Sequence, residues 1–168
     1  LQGGQQRATT WYRNAVSLIA DRASQGKLMR EGRINGRPSA GRMNFFVYDP
    51  KYKKSLPFYD TFPLVLPLEP IKGGFMGMNF HYLSPVMRFR LLQTMDKFKN
   101  RNDLTSATRF DVNYNDVRRI PMVKPTIKKY LYGHVRSSFL RVDFERVLIS
   151  IFMPKDLAIK ATFFPNSP

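Results

Sequence analysis

The chain has no cysteine, two histidines, one tryptophan and only 12 acidic residues among 168. Without cysteine there are no disulfides and no thiolate metal sites, which fits a reducing place of synthesis. The histidines, His81 and His134, fail as a zinc pair, because neither has a second histidine three to five residues away. Carboxylates are too sparse for the sets that hold the metals of phosphoryl-transfer enzymes. No apolar run reaches the roughly 18 residues of a transmembrane helix. Leu1–Thr10 is polar and rich in Gln and Gly, so no signal peptide and no membrane partner are expected. The first residue is Leu1 rather than Met, and the expectation is a processed chain or a piece of a longer product.

What is abundant is aromatic and cationic. Hydrophobic residues make up 43% and aromatics 14%, with 14 Phe and 8 Tyr. A disordered chain carries few such residues, so this one folds, and its length suits one domain. Lys and Arg number 28, giving a net charge of +16 and a pI near 10.4. The charge is unevenly spread: residues 1–54 carry +8, residues 55–86 carry −1 and residues 87–168 carry +9. Self-repulsion of that size opposes compaction, and a polyanionic partner relieves it. Nucleic acid is the expected polyanion.

Local signals divide the chain at residue 42 into an N-terminal helix with a basic arm (1–42) and an α+β domain (43–168). Residues 1–9 are expected to be disordered, and Thr10 to cap a helix over Trp11–Ser24, with Trp11, Ala15, Leu18 and Ile19 on one stripe. Trp11 is expected to anchor packing. Gln25–Arg42, with four glycines and Arg33, Arg37 and Arg42, reads as an extended basic arm. Met43–Tyr48 is a strand ending at the turn signal Asp49-Pro50. Phe58–Leu68 is apolar but broken by Pro63 and Pro67, so an edge strand or extended wrap is expected. Gly73-Gly74 turns into a strand Phe75–Leu83, in which Gly77 implies close approach of another backbone. Ser84-Pro85 opens a helix to Phe98, with Leu91, Met95 and Phe98 inward and Arg88, Arg90 and Lys97 flanking. Asn100–Arg119 is a polar excursion. Ile127, Tyr130, Leu131 and His134 at helical spacing predict a helix over Pro125–Val135. Strands Phe139–Phe144 and Arg146–Met153 and a short helix Lys155–Thr162 complete the chain. The sum is an α+β fold: a small bent sheet or partly open barrel of about five short strands, with three to four helices on one side.

Few arrangements suggest catalysis. Asp111, Asn113 and Asn115 fall at calcium-loop spacing, but Asp116 stands where glycine is needed and Met122 where a bidentate Glu is needed. Asp143 and Glu145 share a strand face without the further carboxylates a two-metal nuclease requires. Gly73–Gly77 precedes a strand and lacks a Lys-Ser/Thr ending, so it is a turn and not a phosphate loop. Ser84 is a cap. More telling is the interleaving of Tyr48, Lys51, Tyr52, Lys53, Lys54, Phe58 and Tyr59, where cations can meet phosphates and rings can stack on bases.

Three words of the sequence are long and unusual. They are Phe45-Phe46-Val47-Tyr48-Asp49-Pro50-Lys51-Tyr52-Lys53-Lys54, Leu56-Pro57-Phe58-Tyr59-Asp60-Thr61-Phe62-Pro63-Leu64-Val65 and Gly74-Phe75-Met76-Gly77-Met78-Asn79-Phe80-His81-Tyr82-Leu83. Together they resemble the DNA end protector, or head-completion, family of T4-type tailed phages over about residues 41–95, with a looser echo in 124–160. The resemblance implies a protein made in the host cytoplasm and carried in the virion, binding the ends of packaged DNA and shielding them from exonuclease. It implies no catalytic residues.

The expectation is therefore a structural, DNA-binding virion protein, not an enzyme, with no cofactor and no metal. Its DNA contacts are expected at Arg33, Arg37, Arg42, Lys51, Tyr52, Lys53, Lys54, Arg88, Arg90, Lys128 and Lys129. The first alternative is a neck, portal-vertex or baseplate adaptor docking through its neutral Phe- and Pro-rich middle. The second is a head-completion nuclease using Asp143 and Glu145.

Overall fold

A computed structural model describes residues 29–55, 59–100 and 109–143, with isolated positions before them (3, 6, 7, 10, 11, 13, 14, 17, 21, 26, 27) and after them (146, 147, 151). Six strands form one antiparallel sheet: β1 (Ile34–Asn35), β2 (Met43–Phe45), β3 (Leu64–Ile71), β4 (Gly74–Asn79), β5 (Ile127–Leu131) and β6 (Phe139–Val142). Their order is β1-β6-β2-β3-β4-β5, and β1 does not pair with β5. The sheet is thus open, not a barrel, and has six strands rather than five. Among the described residues, three to four helices on one side are not found either. Among the described residues, one helix longer than a single turn has both ends defined, α1 (Pro85–Met95); α2 (Tyr114–Val117) is one turn.

Alternation along the strands feeds two cores. Met43, Phe45, Leu64, Leu66, Met78, Leu140 and Val142 pack with Leu91, Leu92 and Met95 of α1 in the larger one. Phe45 stacks on Phe62, with ring centroids 4.8 Å apart, and Trp11 tilts against Phe45 at 5.3 Å. Trp11 is the packing anchor expected of it. The opposite face gathers Phe46, Tyr48, Val65, Phe75, Tyr130 and Phe139, whose rings meet edge-on, tilted or offset at 4.8–6.1 Å, the geometries that ring quadrupoles favour.

The prolines of β3 fit because β2 is short. β2 pairs only with Leu64 and Val65, so Pro67 and Pro70 lie where β3 is bonded on one side alone, and the register slips between Pro67 and Glu69. Proline lacks an N–H for a second ladder. The β3–β4 hairpin turns through Lys72-Gly73, with Gly73 at φ +75°, a conformation that costs glycine little. At Gly74 an added Cβ would strike the Tyr130 carbonyl; at Gly77 it would strike the Val65 side chain. The close approach expected at Gly77 is there, though a side chain makes most of it.

Helix α1 starts as its caps dictate: Ser84 Oγ accepts the Met87 N–H and Pro85 occupies the first turn. Four further expectations are corrected. Residues 125–135 form strand β5 between two 3₁₀ turns, not a helix, because the unpaired edge of β4 takes Ile127–Leu131 into its ladder. Arg146 and Val147 are helical and Ile151 donates to the Val147 carbonyl, which removes the strand expected over Arg146–Met153; the remainder of that span and the helix Lys155–Thr162 lie outside the described residues. Thr10 is no cap: Gly3, Gln6 and Arg7 are already helical, and Thr10 Oγ1 donates to the Gln6 carbonyl. Finally, the basic arm is tied down, since Ile34 is buried and β1 pairs with β6.

Candidate nucleic-acid interface

The segment after β2 is clamped before it turns. Tyr48 N–H donates to the Thr61 carbonyl at 3.0 Å, Asp49 N–H to the His134 carbonyl at 2.9 Å, and Tyr48 Oη accepts the Leu131 N–H at 3.2 Å. Asp49-Pro50 then begins the turn 51–55, as its residue types predict. Across from this turn, β5 brings Lys128 and Lys129 opposite Gly77 and Met76 of β4. A 3₁₀ turn over Phe80–Tyr82, capped by the Asn79 side chain on His81 N–H, supplies Tyr82.

These pieces enclose a hollow of about 340 Å³ lined by Tyr48, Pro50, Lys51, Tyr52, Tyr59, Asp60, Tyr82, Lys128, Lys129, Tyr130 and Leu131. Five of the eight tyrosines and none of the 14 phenylalanines line it, so its walls are rings with polar tips. Lys128 Nζ lies 4.3 Å from the Tyr82 ring centroid and Lys51 Nζ lies 5.3 Å from that of Tyr52, within cation–π range. Tyr52 is 64% exposed. Among the described residues, no carboxylate is ion-paired with Lys51, Lys128 or Lys129.

Below the hollow lies a buried carboxylate–imidazole pair, Asp60 and His81. Asp60 accepts from His81 Nδ1 at 2.6 Å, Asn79 Nδ2 at 2.9 Å and Phe62 N–H at 3.1 Å. Burial alone would raise the Asp60 pKa; the His81 charge and these hydrogen bonds outweigh it and hold the carboxyl below its ordinary value. Burial, with Asp60 nearby, pushes Tyr82 up to about 12 and Tyr130 well above its usual value. The two phenols stay neutral donors at physiological pH.

The other candidate residues separate by environment. Lys51, Tyr52, Lys128 and Lys129 come together, and Lys54 is exposed on the same turn. Lys53 pairs with Asp49 at 2.8 Å. Arg33 lies 3.6 Å from Glu31 and 3.5 Å from Asp143. Arg42 is half-buried, and desolvation with Arg141 close by lowers its pKa. Arg37 and Arg90 are exposed but do not line the hollow. Arg88 departs most from expectation. It is fully buried, with Nε donating to the Leu83 carbonyl at 2.8 Å and a terminal nitrogen donating to the Ile151 carbonyl at 3.0 Å. It therefore holds the α1 packing together and presents nothing to a phosphate.

The weighed metal ligands have other partners. Asn113 and Asp116 form a reciprocal capping box on α2, and Asp143 sits between Arg33 and Arg141, 3.5 and 3.7 Å away. Glu145 lies outside the described residues. His134 Nδ1 donates to the Asp49 carbonyl at 2.9 Å. Tyr48 and Tyr59 belong to the cation–aromatic interleaving read from the sequence, whereas Asp60, Tyr82 and Tyr130 were not expected beside them.

Fold and hollow together define a basic open-sheet protein with a hollow lined by tyrosines and lysines at one sheet edge. The family model described as phage T4 terminal DNA protecting protein matches residues 5–162, and the chain belongs to that family. It is thus of a bacteriophage family named for protecting DNA ends, as its three sequence words indicate. No curated protein and no solved structure matches it.

Proposed function

We propose that this chain is a non-catalytic virion protein, made in the host cytoplasm, that binds the termini of packaged DNA without regard to sequence and denies them to exonucleases. The observation that supports this reading is that Lys51, Lys128 and Lys129, free of ion pairs among the described residues, all line one tyrosine-rich hollow. Lysines on an edge strand such as β5 also discourage strand addition, but that role does not call for Lys51 or the hollow beside them. Phosphate neutralisation makes such binding general and salt-sensitive. The test is exonuclease challenge of linear duplex in the presence of the protein. Wild type extends the lifetime of the DNA, and Lys51→Ala/Lys128→Ala/Lys129→Ala does not. Equal protection by both removes the proposal.

An adaptor role toward portal, neck or baseplate proteins has one observation in its favour. Val86 and Phe89, 50% and 39% exposed, stand one turn apart on α1. The neutral middle of the chain offers less, because Phe62, Leu64, Val65 and Leu66 are fully buried. If this face docks a virion protein, Val86→Ser/Phe89→Ser lowers incorporation into particles while DNA protection in solution persists.

A further inference from the structure

The hollow has a shape that phosphate contact alone does not require. At about 340 Å³ it stands at the lower end of the roughly 300–1,000 Å³ of small-molecule sites, room for one base with its sugar rather than for a duplex. Tyrosines are prominent in its lining, with the exposed Tyr52 ring among them, and such rings stack on any base; Lys51, Lys128 and Lys129 line it too.

We propose that this pocket receives the terminal nucleotide of a DNA strand, the base entering among the tyrosines while Lys51, Lys128 and Lys129 meet its phosphate. The proposal rests on the DNA-end reading above and gives it a mechanism. A base within a duplex must be unstacked on both sides and unpaired to enter such a hole, which costs a few kcal/mol. A terminal base has one stacking neighbour and frays, so it enters at lower cost. The pocket thereby selects ends over interior DNA without reading sequence. In the free protein the ring faces are not idle, since Lys128 covers Tyr82 and Lys51 approaches Tyr52. Entry exchanges an ammonium on one of these rings for the base, and the released ammonium moves to the phosphate.

The experiment uses the full chain, a blunt duplex bearing 2-aminopurine at its terminal or a central position, with or without a 5′-phosphate, and a dumbbell duplex closed at both ends. Wild type is expected to quench the terminal probe and leave the central one unchanged, and to bind the open duplex about tenfold more tightly than the dumbbell, within the range one base–aromatic stack provides. A further gain from the 5′-phosphate assigns the lysines to a terminal phosphate; no gain assigns them to the first internucleotide phosphate, and both support the pocket. Tyr52→Ala, at a surface position, and Tyr82→Leu should abolish quenching and bring the open-to-closed ratio near one while dumbbell binding persists. If both variants keep the wild-type ratio and quenching, the pocket proposal falls and the DNA-end reading stands. If wild type binds neither DNA, both fall.

Discussion

The salt dependence of DNA binding follows from which cations are free. Ten Lys and Arg side chains were legible as candidates, and contact by all of them would give a slope of log affinity against log salt of about −9. Environment reduces the set. Arg88 is buried, Lys53 and Arg33 are paired, Arg42 is half-buried, and Arg37 and Arg90 lie off the hollow. Lys51, Lys54, Lys128 and Lys129 remain, which predicts a slope of about −3.6 and a loss of roughly 150-fold in affinity between about 50 and 200 mM salt. Lys51→Ala/Lys128→Ala/Lys129→Ala should reduce the steepness by about 2.7. Fluorescence anisotropy of a short labelled duplex, titrated at several salt concentrations, measures both. A wild-type slope near −9, or a slope untouched by the triple substitution, would refute the assignment.

Three more perturbations test the frame around the pocket. Asp60→Ala should cost about 3–5 kcal/mol in urea denaturation, because a buried pair loses one member. The Asp60 carboxyl is held ionised below its ordinary 3.8, so on acidification the unfolded chain protonates first; this contribution stands in full above about pH 4 and fades as pH falls through the lower folded value, and Asp60→Asn should flatten that part of the stability profile. Burial brings the Arg88 guanidinium down to about 10, still charged at neutral pH, and Arg88→Met should lower stability by about 1–3 kcal/mol for orphaned carbonyls while leaving the salt slope unchanged; a shallower slope would return Arg88 to the DNA. Gly74→Ala, whose methyl would meet the Tyr130 carbonyl, should destabilise by about 1–3 kcal/mol and weaken DNA binding by displacing β5, read by the same titrations.

Elements governed by local chemistry were legible in advance. Ser84-Pro85 starts a helix because cap and proline act within one turn, and Asp49-Pro50 and Gly73 bend the chain for similarly local reasons. Residues 125–135 were misread because Ile127, Tyr130, Leu131 and His134 satisfy helical spacing, while the deciding partner, the edge of β4, is remote in sequence. Arg88 is not a phosphate contact because its spacing from Leu91, Leu92 and Met95 puts it on the buried stripe of α1, a position that charge alone does not reveal. Lys51, Lys128 and Lys129 were each named from charge, yet their meeting depends on the β4–β5 ladder and the clamped turn, neither of which is a local property. Tyr82 and Tyr130 were hidden for the same reason.

The one-sided stretch of β3 has a consequence for the free molecule. An eight-residue strand with one flank open would ordinarily invite a stranger's backbone to lie beside it. Here Pro67 and Pro70 interrupt any ladder that tried to grow there, so a neighbouring copy cannot extend the sheet along that flank. The chain can thus stay apart from other copies of itself along that flank without a covering helix.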